Sequence, residues 1–413
     1  DLISCVGAPK NFTITVNPTA QVNPVADQVV CNGSTTTTVI FATANTGGTT
    51  SYTWVNDTPS IGLAASGIED IASFTAVNLG TAPVIATITV TPIFKNGGVD
   101  CSGPTKTFTI TVNPTAQVNT IADQVVCNGS ATTTVTFATA NTGGTTSYTW
   151  VNDTPSIGLV ASGNGNIASF TAINNGTSPV IATITVTPTF NNGSVDCTGA
   201  AKTFTLTVNP TAQVNAITSQ VVCNGSATTA LTFATVNTGG ITTYNWTNDT
   251  PSIGLLVSGT GDIASFTAVN TGTAPVTATI TVTPTFNNGS VDCLGASETF
   301  TITVNPTAQV NPIADQEVCD GSPTTAITFA TANTGGTTTY IWINDTASIG
   351  LAGSGTGNIA SFAAVNNGTS PVIATISVTP TFNNGSMNCT GSTETFTITV
   401  NPTPIGVDQL KEI

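Results

Sequence analysis

Cysteine is the residue whose type and spacing point most directly to chemistry. Cys31, Cys127, Cys223 and Cys319 recur every 96 residues, and Cys5, Cys101, Cys197, Cys293 and Cys389 form a second series at the same interval. Cysteines in such numbers, at fixed spacing, read as disulfides of an oxidising compartment. A bond within one repeat, Cys31 to Cys101, would close a long loop, worth about 4 kcal/mol in the chain-entropy account. Geometry opposes it. In a sandwich the first turn and the last hairpin lie at opposite ends, ~25 Å apart by strand rise, and a disulfide needs Cα atoms within about 7 Å. The first turn of one repeat lies instead beside the last hairpin of the next, which gives Cys31–Cys197, Cys127–Cys293 and Cys223–Cys389. Both schemes stay open, with free thiols a third; Cys5–Cys31 is too far apart under either. Metal binding by the cysteines is disfavoured, because the chain has no CxxC pair and no histidine.

Carboxylates are the next candidates. Asp57, Asp153, Asp249 and Asp345 recur just after a tryptophan. Calcium would be the ligand for such a set, since it takes several oxygen donors; a turn-capping aspartate in NDTPS is the plainer reading. Other acids drift between repeats, Asp70 becoming Asn166, Asp262 and Asn358, and Asp100 becoming Asn388. No shared carboxylate cage is evident, so no cofactor is expected, calcium being the one candidate. Catalysis lacks its commonest general base, histidine, and no lysine recurs in all four repeats: Lys106 aligns with Lys202, then Glu298 and Glu394. The chain is not expected to be an enzyme. Tyr52/Trp54, Tyr148/Trp150, Tyr244/Trp246 and Tyr340/Trp342 share one face of an alternating strand and read as core rather than sugar-binding platforms. Threonine rows such as TITVT read as solvated strand faces, and sequons such as Asn32-Gly-Ser, Asn128-Gly-Ser and Asn224-Gly-Ser as plausible glycosylation sites.

The elements that must position these residues are strands. Helical periodicity is absent, and Thr, Val, Ile and Phe alternate: Phe108, Ile110 and Val112 face one way, Thr107, Thr109 and Thr111 the other. About seven strands follow, near 24–31, 35–43, 51–56, 61–66, 70–78, 83–94 and 105–112, separated by the turn signals NGS, NTGG, NDTPS and KNGG. The period is that of a whole sandwich domain of about 100 residues, and too long for a solenoid coil. The repeats are 17–112, 113–208, 209–304 and 305–400; 1–16 matches the end of a preceding repeat, and 401–413 opens like the start of a next linker or domain. The sequence thus reads as a window on a longer array. The fold class is all-β, a tandem array of four Ig-like or PKD-like seven-stranded β-sandwich domains. Stiff Pro-containing linkers (NPTAQVNP) predict a rod.

Composition narrows the partners. Only 6% of residues are charged, with five lysines, no arginine and a net charge of −15. No basic patch is possible, so nucleic acid is excluded as a partner, and so is attraction to an anionic membrane. No apolar run approaches the length that inserts in a bilayer, about 18 residues.

The phrases ADQVVCNGS, YTWVNDTPSIGL, GNIASFTA, PVIATITVTPTF and TFTITVNPTA, in order, resemble the PKD-like repeats of giant Bacteroidota cell-surface adhesins, those of SprB-type gliding motility among them. The resemblance covers essentially all of 1–403. It implies an extracellular location on a bacterial cell surface, export by type IX secretion, and filaments that touch substratum and polysaccharide and engage the motility machinery. A structural stalk, whose repeats contact one another and project a binding region under load in adhesion or gliding, is the leading expectation. The alternatives are a self-assembling extracellular filament and repeats that themselves bind polysaccharide.

Overall fold

The computed structural model describes residues 2–289 and 291–404. Its strands repeat in groups of six. In the first repeat they are β1 (Gln28–Cys31), β2 (Thr49–Asn56), β3 (Ser66–Ile68), β4 (Val84–Asn96), β5 (Val99–Ser102) and β6 (Lys106–Asn113). The second has β7 (Gln124–Cys127), β8 (Thr145–Asn152), β9 (Ser162–Asn164), β10 (Val180–Asn191), β11 (Asp196–Thr198) and β12 (Lys202–Asn209). The third has β13 (Gln220–Cys223), β14 (Ile241–Asn248), β15 (Ser258–Thr260), β16 (Val276–Asn287), β17 (Asp292–Leu294) and β18 (Glu298–Asn305). The fourth has β19 (Gln316–Cys319), β20 (Thr337–Asn344), β21 (Ser354–Thr356), β22 (Val372–Asn383), β23 (Asn388–Thr390) and β24 (Glu394–Asn401). Two compact units divide the chain, repeats 1 and 2 in the first and repeats 3 and 4 in the second, with the loop Asn175–Pro179 grouped with the second.

Each repeat builds one six-stranded sheet in the order β1-β6-β4-β2-β3, with β5 a hairpin on the end of β4. β1 runs parallel to β6 and the other pairs are antiparallel. Alternation in β4 drives the burial: Ala86, Ile88, Val90 and Phe94 are buried, while the threonines between them are half-exposed. Facing this sheet is a second layer, formed by segments around 35–41 and 71–76. Each repeat closes its own core; the first runs from Val22 to Val112 and includes Phe41, Tyr52, Trp54, Ile61 and Ile71. Phe41 and Tyr52 rings lie 5.3 Å apart, as a tilted pair. The fold is therefore an array of Ig-like sandwich domains in tandem.

Three local expectations are corrected. The segments 35–43 and 70–78 are not regular strands; their ladder is reduced to the isolated bridges Thr35↔Thr75 and Val39↔Ile71, with the Thr36 amide also donating to the Phe74 carbonyl at 2.9 Å. Side chains interrupt the ladder: the Thr36 hydroxyl accepts from the Phe74 amide at 3.0 Å, and the Asp70 carboxylate accepts from the Phe41 amide at 2.8 Å. The expected strand 61–66 is a 3₁₀ turn, Pro59–Ile61, followed by β3. Buried Asn56 folds this turn. Its Oδ1 accepts from the Thr58 amide, its Nδ2 donates to the Leu63 carbonyl, both at 3.0 Å, and Gly62 closes the turn at φ 94°. Ala347 replaces the proline in the fourth repeat without changing the turn. The third correction is the hairpin after 95–98, which carries a further short strand, β5, that was not expected.

At the start of the chain, Phe12, Ile14 and Val16 stand 83%, 78% and 87% exposed, whereas Phe108, Ile110 and Val112, 96 residues later, are buried. The expected start of a further linker or domain at 401–413 lies, from residue 405 on, outside the described residues.

Candidate functional site: the repeat junctions

The cysteines come together at the junctions. Cys31 ends β1, opposite Asn113, the last residue of β6. Gly33, at φ 79°, then turns the chain, and Ser34 donates its amide to the Cys31 carbonyl at 3.0 Å. From the second repeat, β10 continues beyond its pairing with β12, still paired with β8 as far as Asn191, and turns into a hairpin with β11, where Cys197 pairs with Phe190. This hairpin reaches back to the first sheet. Cys31 and Cys197 form a disulfide with Cα atoms 5.5 Å apart, and Asn113 donates its side-chain amide to Asn192 Oδ1 at 3.1 Å. In the second unit Cys223 and Cys389 form the same bridge at the same Cα distance.

Of the two schemes, the described bridges follow the one between repeats. Cys101 is unbonded and half-buried on β5, so the bond within a repeat, Cys31–Cys101, is absent; Cys5 and Cys319 are exposed and unbonded. Cys127 ends β7 and Cys293 lies on β17, the same two places in their repeats.

Polar contacts seat the same junctions. Thr142 donates its amide to the Thr81 carbonyl at 2.9 Å, and Asn141 Nδ2 donates to the Thr115 carbonyl of the linker at 3.1 Å. Asn141 Oδ1 accepts from the Gln117 amide at 2.7 Å. Thr334, Asn333 and Gln309 make the corresponding contacts in the second unit, to Thr273 and Thr307. At Gly143 only glycine fits: φ is 74°, and a Cβ would lie 2.8 Å from Pro83 Cδ.

The remaining candidates are placed as follows. Asp57 Oδ1 accepts from the Thr87 amide and the Thr58 hydroxyl, both at 2.8 Å, tying the 3₁₀ turn to β4. Asp345 does the same with Thr375 and Thr346. The Thr87 amide, chiefly, holds the Asp57 carboxyl below its ordinary range, with the Thr58 hydroxyl adding to it; Asp153, Asp249 and Asp345 are shifted the same way by their own threonines. Among the described residues no three acidic, Cys or His side chains gather as a metal site. Trp54, Trp150, Trp246 and Trp342 and the tyrosines two residues before them are buried. Trp54 packs closely against Gly67 and is only 7% exposed, so its ring is closed to a sugar.

Sequence reasoning missed the asparagines. Asn32 of the first sequon is engaged twice: Nδ2 donates to the Thr115 hydroxyl at 2.9 Å and Oδ1 accepts from the Asn78 amide at 2.8 Å. Asn224 repeats this with Thr307 and Asn270. In the fourth repeat Asp320 stands there, accepting from the Thr403 hydroxyl and the Asn366 amide. The available signal was recurrence: Asn45, Asn141, Asn237 and Asn333 sit in register, as do Asn113, Asn209, Asn305 and Asn401.

Shallow clefts beside the linkers also recur. One, of about 520 Å³, lies between Thr115–Thr120 and Ala200 with Lys202; a smaller one, of about 350 Å³, lies between Gln21–Pro24 and Pro104 with Lys106.

Residues 220–308 match the PKD-like domain family. No curated protein matches the sequence. Among solved structures the chain is similar to the human desmocollin-1 ectodomain (12% identity, 86% of this chain and 75% of that one, TM-score 0.29). It is also similar to sidekick-1 immunoglobulin domains 1–5 (12%, 93% and 81%, 0.26) and to mouse cadherin-23 EC22–24 (15%, 70% and 99%, 0.35). Superposition at this level assigns no function.

Proposed function

We propose that the chain is stalk from a cell-surface adhesin: non-catalytic repeats, bounded as 17–112, 113–208, 209–304 and 305–400, that hold a binding region away from the cell and bear load. The observation that carries this reading is the covalent bond between successive repeats, Cys31–Cys197 and Cys223–Cys389. A disulfide inside a domain stabilises that domain; one between domains fixes how they follow each other, which serves a spacer and no catalytic step. The supporting features are a surface almost without charge, which makes repeat contacts nearly independent of salt, and closed tryptophan faces. Extracellular exposure follows from the cystines. A bacterial surface, type IX export, gliding machinery and substratum or polysaccharide partners belong to this proposal on the strength of the phrases that resemble Bacteroidota adhesin repeats.

The test is hydrodynamic and binding work on the purified chain. A stalk sediments as an extended monomer at all concentrations and leaves a panel of soluble polysaccharides unretained. Saturable retention on one polysaccharide, lost when Lys202 and Lys106 beside the linker clefts are changed to glutamate as at Glu298 and Glu394, would assign binding to the repeats instead. Concentration-dependent fibres would make it a filament subunit.

A further inference from the structure

The cystines Cys31–Cys197 and Cys223–Cys389 do more than join neighbours; their positions along the chain decide where tension runs. Each spans 166 positions, so everything between Cys31 and Cys197, and between Cys223 and Cys389, is a closed loop. A force applied at the two ends follows the shortest covalent route. That route enters through β1, crosses from Cys31 to Cys197, follows β12, the linker and β13 to Cys223, and crosses to Cys389. Off it lie β2–β10 and β14–β22, hence most of the buried side chains of all four cores.

We propose that these cystines form a redox-gated tension bypass: oxidised, they carry load past the sandwiches and make the array inextensible; reduced, they return the load to the cores, which then unfold and lengthen. Between Cys31 and Cys389 the reduced route is roughly 360 residues, and the oxidised route about 26, giving about 1,250 Å against about 90 Å at ~3.5 Å per extended residue. The gate is a balanced exchange with a dithiol. Each cystine takes two electrons and two protons to become two thiols, and the dithiol closes to its cyclic disulfide. The inference rests on the stalk reading only in supposing that load arrives at the ends; the route itself is set by connectivity.

Single-molecule stretching of the full chain, held at its termini, tests it. Without reductant, the molecule should reach its limit with no extension steps of repeat size. With dithiothreitol it should lengthen in steps of about 300 Å each, the length of one 96-residue repeat less its folded span, and end more than tenfold longer between the bridge positions. Cys223→Ser combined with Cys293→Ser, which leaves only Cys31–Cys197 closed, should restore about half of that gain without reductant. Repeat-sized steps of equal number in oxidised and reduced chain would overturn the bypass while leaving the stalk reading intact. An inextensible oxidised chain that nonetheless binds polysaccharide or forms fibres would uphold the bypass and sink the stalk reading.

Discussion

Gly67→Ala should selectively unfold the first repeat. Gly67 pairs with Trp54 across β2 and β3. A Cβ there would lie 2.2 Å from Trp54 Cζ2 and 2.5 Å from Cε2, far inside contact distance, against a ring wedged in the core. Gly67 does not need positive φ, so alanine fits the backbone and would gain about 0.4–1 kcal/mol through the unfolded chain were space available. Overpacking costs about 1–3 kcal/mol and more where the ring cannot move, so a net loss of about 2 kcal/mol is expected. With a urea m-value of about 1–1.5 kcal/mol/M for a domain this size, the midpoint of that repeat falls by about 1–2 M. The assay is tryptophan fluorescence, because the four tryptophans report one per repeat. A quarter of the amplitude should move to lower urea while the rest stays. Gly353→Ala is the control, since open space surrounds that position and Ala65 and Ala161 occupy it in the first two repeats. If Gly67→Ala unfolds along the wild-type curve, the packing of Trp54 described here is wrong.

Non-reducing peptide mapping should recover Cys31 linked to Cys197 and Cys223 linked to Cys389, with Cys127–Cys293 by the 96-residue register; a Cys31–Cys101 peptide would contradict the junction geometry. Asp57, Asp153, Asp249 and Asp345 have carboxyl groups held below their ordinary range by threonine donors. Depressed folded values mean stability that is full above the unfolded carboxylate range, near pH 4, and lost as pH falls through the folded value. The urea midpoint should therefore drop below about pH 4, and Asp57→Asn should flatten that pH dependence in the first repeat's fluorescence only; an unchanged slope would refute the assignment.

The period and the strands that alternate cleanly were legible, because β4 and β6 bury every second residue and exposure relaxes the rest. Ile40 becomes Thr136, Thr232 and Thr328 at an outward position, while Phe41 stays aromatic. The second layer was not legible as irregular, since its backbone pairing is broken into isolated bridges by the Thr36 and Asp70 side chains, which an alternating pattern does not show. The turn after Asn56 misled for a similar reason: S-I-G-L reads as a strand until the buried asparagine that folds it is seen. The cysteines were half legible. Spacing supplied the pairs, and strand rise opposed the bond within a repeat, but the choice depended on where the β10–β11 hairpin meets the preceding repeat, which a hydrophobic pattern does not encode.

The offset of 166 is one whole period plus 70. A recombination event that adds or removes complete repeats therefore leaves every interior cysteine facing a partner at the same offset, and orphans none but those at the ends. Adding only part of a repeat leaves a first-turn cysteine or a hairpin cysteine without its counterpart. Such an array can change its length freely in units of 96 residues and in no finer increment, so that reach can vary between lineages while the joints stay the same.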